Sequence, residues 1–289
     1  MEIIPLKTDK YNVIKNSFDN MTEIVIYHNG FNVTTGNCSG INTETGELLL
    51  RGGAKRKFIN NNGVLQPTND NFYSIDSLQH TIKNSRKRAL DNIFGYALSN
   101  KFNYFLTLTF DPSKVDREED DSCKYAYKLF KQKLQYIYKD VKLLAIPERH
   151  PTSNMLHLHI LVGNISLDKY LTRAINPHTN KPIFSNGRAV YNLDLYTFGF
   201  STLVKIDGEP LKIANYLTKY VVKDFGNIGY NKKTFFHTQN LAFKDKIIAN
   251  FNERQLVDLQ NELKNEPLAE LYKSDENMTI YRIKLPFQN

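Results

Sequence analysis

The sequence predicts an α+β fold in which helices flank a central antiparallel sheet. Residues 104–110 alternate in polarity, as a strand with one buried face does. Residues 142–148 and 155–162 predict two further strands, and the short turn between them makes the pair a hairpin of antiparallel neighbours. Helical character over 77–98 and 123–139 supplies helices that can pack on such a sheet.

Composition narrows the class of protein. The chain has 289 residues and 41% hydrophobic residues, enough for one large domain or two small ones. No apolar run approaches the roughly 20 residues of a membrane span, and the N-terminus lacks a signal-peptide pattern, so we expect a soluble, cytoplasmic protein. Cys38 and Cys123 are isolated, which argues against a zinc ribbon or a disulfide framework.

The charge distribution favours a polyanionic partner. The formal net charge is +8, and a basic surface attracts nucleic acid through steering and counterion release. Four cations lie on one side of the predicted helix 77–98, namely Lys83, Arg86, Lys87 and Arg88, and a smaller cluster spans residues 55–57. A solvated helix surface has the same pattern, so charge alone does not decide the matter.

Three regions follow one another along the chain. Residues 1–70 predict a β-rich extension, with a strand at 24–27 that ends in the turn signal His28-Asn29-Gly30. Residues 71–244 predict the main domain, and residues 245–289 a C-terminal helical extension with an amphipathic helix at 252–273.

The second half of the main domain predicts four further elements. They are a short helix at 167–174, a loop at 175–186, a strand at 200–206 and a helix from Pro210 to about residue 223.

Two histidines interrupt the apolar strand 155–162. His157 and His159 are two residues apart, so their side chains share one face of the strand. Leu156, Leu158 and Ile160 then face a core. Two imidazoles side by side can bind one metal ion, although a half-buried strand with two incidental histidines has the same pattern.

A second pattern lies in residues 215–224. Tyr216 and Tyr220 are four residues apart, hence one turn apart on a helix, and Lys219 and Lys223 follow each of them by three residues. A tyrosine oxygen can attack a phosphodiester when a divalent cation polarises the phosphate, which forms a covalent phosphotyrosine. An amphipathic helix with two surface tyrosines has the same spacing.

Taken together, three segments resemble the HUH-endonuclease family of rolling-circle replication initiators of plasmids and single-stranded DNA phages. Residues 105–110 resemble its first motif, a strand with no catalytic side chain. His157-Leu158-His159 resembles the histidine–hydrophobe–histidine motif, and residues 216–223 resemble the tyrosine motif in its two-tyrosine form. The motifs occur in the family's order, and the resemblance implies the HUH nuclease fold for residues 71–244.

The resemblance implies a metal site on the histidine strand. His157 and His159 would bind Mg²⁺ or Mn²⁺, and the third ligand would be a carboxylate on the preceding strand. Glu148 fits that position, and His150 is the competing candidate.

The resemblance also implies roles for the tyrosine helix. Tyr220 would be the primary nucleophile and Tyr216 the second one, used in strand transfer. Lys219 and Lys223 would stabilise the phosphate or the phenolate beside them.

The implied activity is metal-dependent, site-specific nicking and joining of single-stranded DNA at a replication origin through a 5′-phosphotyrosine. The DNA would be a single strand or an extruded hairpin, contacted by the basic helix 77–98. The sequence has no G-x-x-x-x-G-K-[ST] loop, so a host helicase and a host DNA polymerase are expected partners in a bacterial cytoplasm.

Three rival functions remain open. A relaxase or a transposase would use the same site, and a non-catalytic DNA-binding regulator could retain the fold. A metal-independent phosphoesterase would need paired H-x-[ST] motifs, and neither His178-Thr179 nor His237-Thr238 supplies the spacing.

Overall fold

The computed structural model describes most of the chain from residue 75 onward and separate strands before it. The backbone is described for residues 3–4, 10–19, 21–32, 38–42, 48–50, 57–59, 65–67, 75–150, 152–206, 210–224 and 234–284. Side chains are described for residues 12–19, 21–30, 83–150, 152–206, 210–218 and 234–284.

The elements alternate along the chain between strands and four helices within this described part. The first half contains β1 Ile3–Ile4, β2 Lys10–Ser17, β3 Met21–Asn32, β4 Cys38–Asn42, β5 Leu48–Leu50, β6 Lys57–Ile59, β7 Leu65–Pro67, α1 Ile75–Leu98, β8 Tyr104–Phe110, α2 Asp120–Ile137 and β9 Lys142–Arg149. The second half contains β10 Leu156–Gly163, β11 Leu171–Arg173, β12 Phe184–Ser185, β13 Arg188–Leu193, β14 Gly199–Lys205, α3 Pro210–Asp224, β15 Phe236–His237, β16 Asp245–Ala249, α4 Glu253–Asn265, β17 Ala269–Ser274 and β18 Met278–Lys284.

The chain divides into two compact units. The terminal unit comprises Met1–Ser17, Met21–Gln79 and Asp245–Asn289, and the central unit comprises Phe18–Asn20 and His80–Lys244. The described strands pair in an antiparallel sense, and with the four helices they confirm the predicted α+β class. No helix in the described ranges is long and apolar enough to cross a membrane.

The central unit is built on a sheet whose described strands follow the order β11-β13-β14-β8-β10-β9-β15, with β12 added beside β13. β10 therefore lies between β8 and β9, and the predicted hairpin of β9 and β10 is confirmed. The predicted alternation of β8 is confirmed as well, because Tyr104, Leu106, Leu108 and Phe110 are buried while the residues between them are half-buried.

Helix α2 covers the face of the sheet that carries these buried residues. It contributes Cys123, Ala126, Tyr127, Phe130 and Leu134 to the same core. The helix begins at Asp120, three residues before the predicted start, and Asp120 and Asp121 lie in its first turn, where carboxylates oppose the helix dipole favourably. Helix α3 packs against β9.

Strand β14 lies unusually close to β8 at its first residue. A Cβ atom added to Gly199 would clash with the carbonyl oxygen of Thr109 and would be 2.6 Å from the amide nitrogen of Asp111. Only glycine fits this approach, since both neighbouring atoms belong to backbone that is already paired.

The terminal unit joins the two ends of the chain in one sheet. Its described strands follow the order β16-β2-β3-β18-β17, so segments 1–70 and 245–289, treated as separate extensions above, contribute neighbouring strands. Leu263 of α4 packs in a core with Val13, Ile24 and Tyr281. α4 begins with a capping box between Asn252 and Gln255.

Three predicted elements are wrong. The turn at 28–30 lies inside β3, because β3 pairs with β18 there and the His28 Nε2 is 2.9 Å from the Thr279 hydroxyl. The helix at 167–174 is a single 3₁₀ turn followed by β11, which pairs with the unpredicted strand β13. The helix 252–273 ends at residue 265, since Pro267 disfavours helix before it, and β17 follows.

The α2 core leads to the first stability prediction. Phe130 is 1% exposed and meets Tyr196 edge to face at 5.3 Å between ring centroids. Phe130→Ala should lower the free energy of unfolding by about 3–5 kcal/mol, because it leaves a cavity in a packed core. Tyr136→Ala, on the same helix at 91% exposure, should stay within about 0.5 kcal/mol of wild type. Urea denaturation followed by circular dichroism measures both, and equal effects would contradict the assignment.

Candidate functional site

The two histidines lie on the face of β10 opposite the α2 core. Across β8, His157 pairs with Thr109 and His159 pairs with Thr107. His159 is 8% exposed and His157 is half-buried. Leu156, Leu158 and Ile160 are buried in the core on the other face, so the predicted division of this strand into two faces is confirmed.

A threonine hydroxyl holds each imidazole at the same ring atom. Thr109 Oγ1 is 3.0 Å from His157 Nδ1, and Thr107 Oγ1 is 3.2 Å from His159 Nδ1. In the tautomer with Nδ1 protonated, each histidine donates to its threonine and presents the Nε2 lone pair to another partner. The first-motif strand, expected to carry no functional side chain, therefore orients both rings.

Glu148 meets the histidines from the other side. It lies opposite His157 on β9, and its Oε2 is 2.7 Å from His159 Nε2, with both side chains largely buried. The hairpin thus brings together His159 and the carboxylate that the resemblance favoured as a third ligand.

The competing candidate, His150, lies at the β9–β10 turn. Its ring is 5.9 Å from the His157 ring, and its Nδ1 faces the amides of Thr152 and Ser153 at 3.4 Å each. His150 is exposed, and Glu148 is the one in direct contact with a histidine of the pair. Among the residues that the structure describes, no three His, Cys, Asp or Glu side chains converge closely enough to hold a metal ion.

Burial and charge act together on His157. Burial lowers the pKa of His157 below its ordinary value of 6.5, and the neighbouring His150 lowers it further, while the Glu148 carboxylate opposes the change. The neutral imidazole is therefore favoured at this position, and neutral imidazole is the form that binds metal ions.

An aromatic bridge joins the histidine face to α3. The Phe105 ring stacks on His159 with centroids 5.8 Å apart, and it meets Tyr216 at 5.3 Å in an edge-on arrangement. Tyr216 is 45% exposed. One phenylalanine therefore separates a predicted nucleophile from a predicted metal ligand.

The remaining tyrosine-motif residues lie on the predicted helix. The backbone of α3 runs from Pro210 to Asp224, so Tyr216 and Tyr220 are one turn apart along it, as the spacing predicts. The side chains of Lys219, Tyr220 and Lys223 lie outside the described residues.

The predicted DNA-binding cations lie on a different element. Lys83, Lys87 and Arg88 are exposed on α1 and Arg86 is half-buried there, while the histidines and Tyr216 belong to the sheet and α3. Their contact with DNA stays a prediction. The basic cluster at 55–57 lies outside the described side chains.

Strand β14 adds a feature that the sequence reading missed. Phe200 pairs with Thr109, on the same face as the histidines, and is 71% exposed. The alternation of residues 200–205 with Ser201 and Leu203 buried was the available signal, because it leaves Phe200 and Thr202 on the solvent side.

Comparison with known proteins identifies one similarity. Residues 103–225 match the family model of the replication-associated protein ORF2, a span that begins just before β8 and ends just after α3. No curated protein and no solved structure gave a significant match. The similarity covers less than half of the chain, contains all three motif segments, and supports a protein of the replication-initiator type.

The electrostatics of His157 can be tested by NMR on metal-free protein in the presence of a chelator. We expect a titration midpoint below 6.5, so the unfolded chain binds the proton first as pH falls and the stability contributed by this residue decreases below about pH 6.5. His150→Gln should raise the pKa of His157 by removing a positive neighbour. His178→Gln, in an exposed turn, serves as the control. An unchanged midpoint in His150→Gln would refute the assigned cause.

Proposed function

We propose that this chain initiates rolling-circle replication by nicking and rejoining single-stranded DNA at an origin, with the HUH nuclease fold in its central unit. The observation that carries the proposal is the aromatic bridge, in which Phe105 contacts both His159 and Tyr216. It connects the three segments that resemble family motifs, and all three lie within the matched span 103–225.

The chemical step is a transesterification. A tyrosine phenol oxygen attacks the phosphorus of the scissile phosphodiester, loses its proton, and forms a 5′-phosphotyrosine. The 3′ oxygen of the neighbouring nucleotide leaves, takes up a proton, and becomes the 3′-OH primer. Tyr220 is proposed as the primary nucleophile and Tyr216 as the second, and Lys219 and Lys223 are proposed to stabilise the phosphate.

The donor set fits a divalent cation, Mg²⁺ or Mn²⁺. His159 Nε2 and Glu148 Oε2 already face each other at 2.7 Å, and the threonines occupy Nδ1 of both histidines, which leaves Nε2 as the ligating atom. We propose that His157, His159 and Glu148 hold the cation. When bound, it neutralises charge on the scissile phosphate.

Surrounding residues supply orientation rather than chemistry. Thr107 and Thr109 keep both imidazoles in one tautomer and one direction, and Phe105 keeps α3 against the histidine face. The cations of α1 are proposed to contact DNA phosphates beyond the site. A host helicase and a host DNA polymerase would then extend the 3′-OH.

Covalent capture tests the proposed nucleophiles. Single-stranded DNA from the origin of the replicon that encodes the chain is incubated with Mn²⁺, and the nucleotide-bearing peptide is found by mass spectrometry. Tyr220→Phe should abolish the adduct because the phenol oxygen is lost, whereas Tyr216→Phe should retain first-strand cleavage and lose strand transfer.

Other outcomes would redirect the assignment. An adduct that persists in Tyr220→Phe and disappears in Tyr216→Phe would exchange the two roles. Tight DNA binding with no adduct in any form would favour the non-catalytic regulator, and an adduct only at a transfer origin or a transposon end would favour the relaxase or the transposase.

Metal affinity gives an independent test of the ligand set. Mn²⁺ binding to protein without DNA, followed by electron paramagnetic resonance, should be lost in His157→Ala. Thr109→Val should weaken it about 10- to 100-fold, because the ring loses the hydroxyl that orients it. Thr202→Val, exposed on β14, is the matched control. Equal affinity in Thr109→Val and Thr202→Val would exclude the orienting role.

A further inference from the structure

A pocket lies beside the bridge between the sheet and α3, at the end of the histidine face. Phe105 and Tyr216 line it together with Val204 and Ile213, and its volume is about 210 Å³. Pockets for drug-sized ligands have about 300–1,000 Å³, so this one suits a smaller flat group. Two aromatic rings and aliphatic walls are the surroundings in which a nucleobase stacks.

The polar residues of the pocket come from one tight hairpin. β12 and β13 are joined by Asn186 and Gly187, whose φ angles of 48° and 76° form a two-residue turn, and Ser185 pairs with Arg188 across it. Ser185, Asn186 and Arg188 line the pocket. Amide, hydroxyl and guanidinium groups supply both donors and acceptors for the edge of a base.

The charge of the pocket is complementary to a phosphate. Arg188, Lys205 and Lys212 line it, and no acidic residue does so among the described residues. Lys205 forms an ion pair with Asp168 at 2.7 Å, which offsets part of the positive charge at that end of the lining. The lining thus combines a stacking site with an excess of cations, as a nucleotide requires.

The register of β14 connects the pocket to the histidines. Val204 pairs with Phe105 at the pocket, Thr202 pairs with Thr107, and Phe200 pairs with Thr109. His159 and His157 lie on the next strand opposite the same two threonines. A DNA strand that runs along β14 from the pocket therefore passes both histidines before it reaches the exposed ring of Phe200.

We propose that this pocket binds one unstacked nucleotide of the single-stranded DNA next to the nick and sets base preference at that position. The inference rests on the proposed nicking function and adds a specificity site to it. The base lies against Phe105, its edge contacts Asn186 and Arg188, and Lys212 contacts its phosphate.

The test uses the double variant Asn186→Gly/Arg188→Gln. Glycine keeps the positive φ of the turn while it removes the amide, and glutamine removes the charge. The matched control is Asn180→Gly/Lys181→Gln, which changes another positive-φ asparagine and an exposed cation outside the pocket lining. Thermal unfolding within a few degrees of wild type verifies that both variants fold.

A randomised single-stranded DNA pool with Mn²⁺ supplies the readout, because sequencing of covalently captured strands gives a cleavage motif. The pocket variant should lose preference at one position and retain the others, while the control keeps the whole motif. An abasic nucleotide at that position should slow wild-type cleavage about tenfold and leave the pocket variant unaffected.

Three results would overturn the inference. A pocket variant with an unchanged motif and the full abasic penalty rejects the pocket and leaves nicking intact. Competition by free deoxynucleoside monophosphates at micromolar concentration would make the pocket a site for free nucleotides instead. A wild-type protein that captures no strand from the pool rejects the nicking function, and the specificity site with it.

Discussion

The register of β10 between β8 and β9 is the constraint on which the site depends. Side chains alternate along a strand, so a slip of one residue would turn His157 and His159 into the α2 core and expose Leu158. The buried leucines and isoleucine of β10 therefore hold the histidines in place, because their burial specifies the register. Packing on one face of the sheet thereby determines the chemistry available on the other.

The same register explains how few residues the site needs. Thr107 and Thr109 reach the histidines because each lies directly across from one of them, and Glu148 reaches His159 from the opposite neighbour. Three adjacent strands thus supply the metal-binding side chains that we propose and the groups that orient them. Since the strands are central to the sheet, no loop closure is required to assemble these contacts.

Much of this arrangement follows from the sequence, because it depends on local periodicity. The faces of β8 and β10, the β9–β10 hairpin and the α3 backbone were all predictable from spacing. The hydroxyl contacts to Nδ1 were not, since residues 107 and 157 are fifty positions apart and only the register joins them. β13 was missed for a similar reason, because its pairing with β11 and β14 overrides weak local preference.

Gly199 sets a boundary for redesign of the sheet. Phe200 and Thr202 face solvent on β14, and side chains there can vary without cost to the core. At Gly199 any side chain would meet the Thr109 carbonyl and push β14 away from β8. The exposed face of β14 is thus open to diversification toward other DNA sequences, provided that its first residue stays a glycine and keeps the strand at its present distance from the histidine pair.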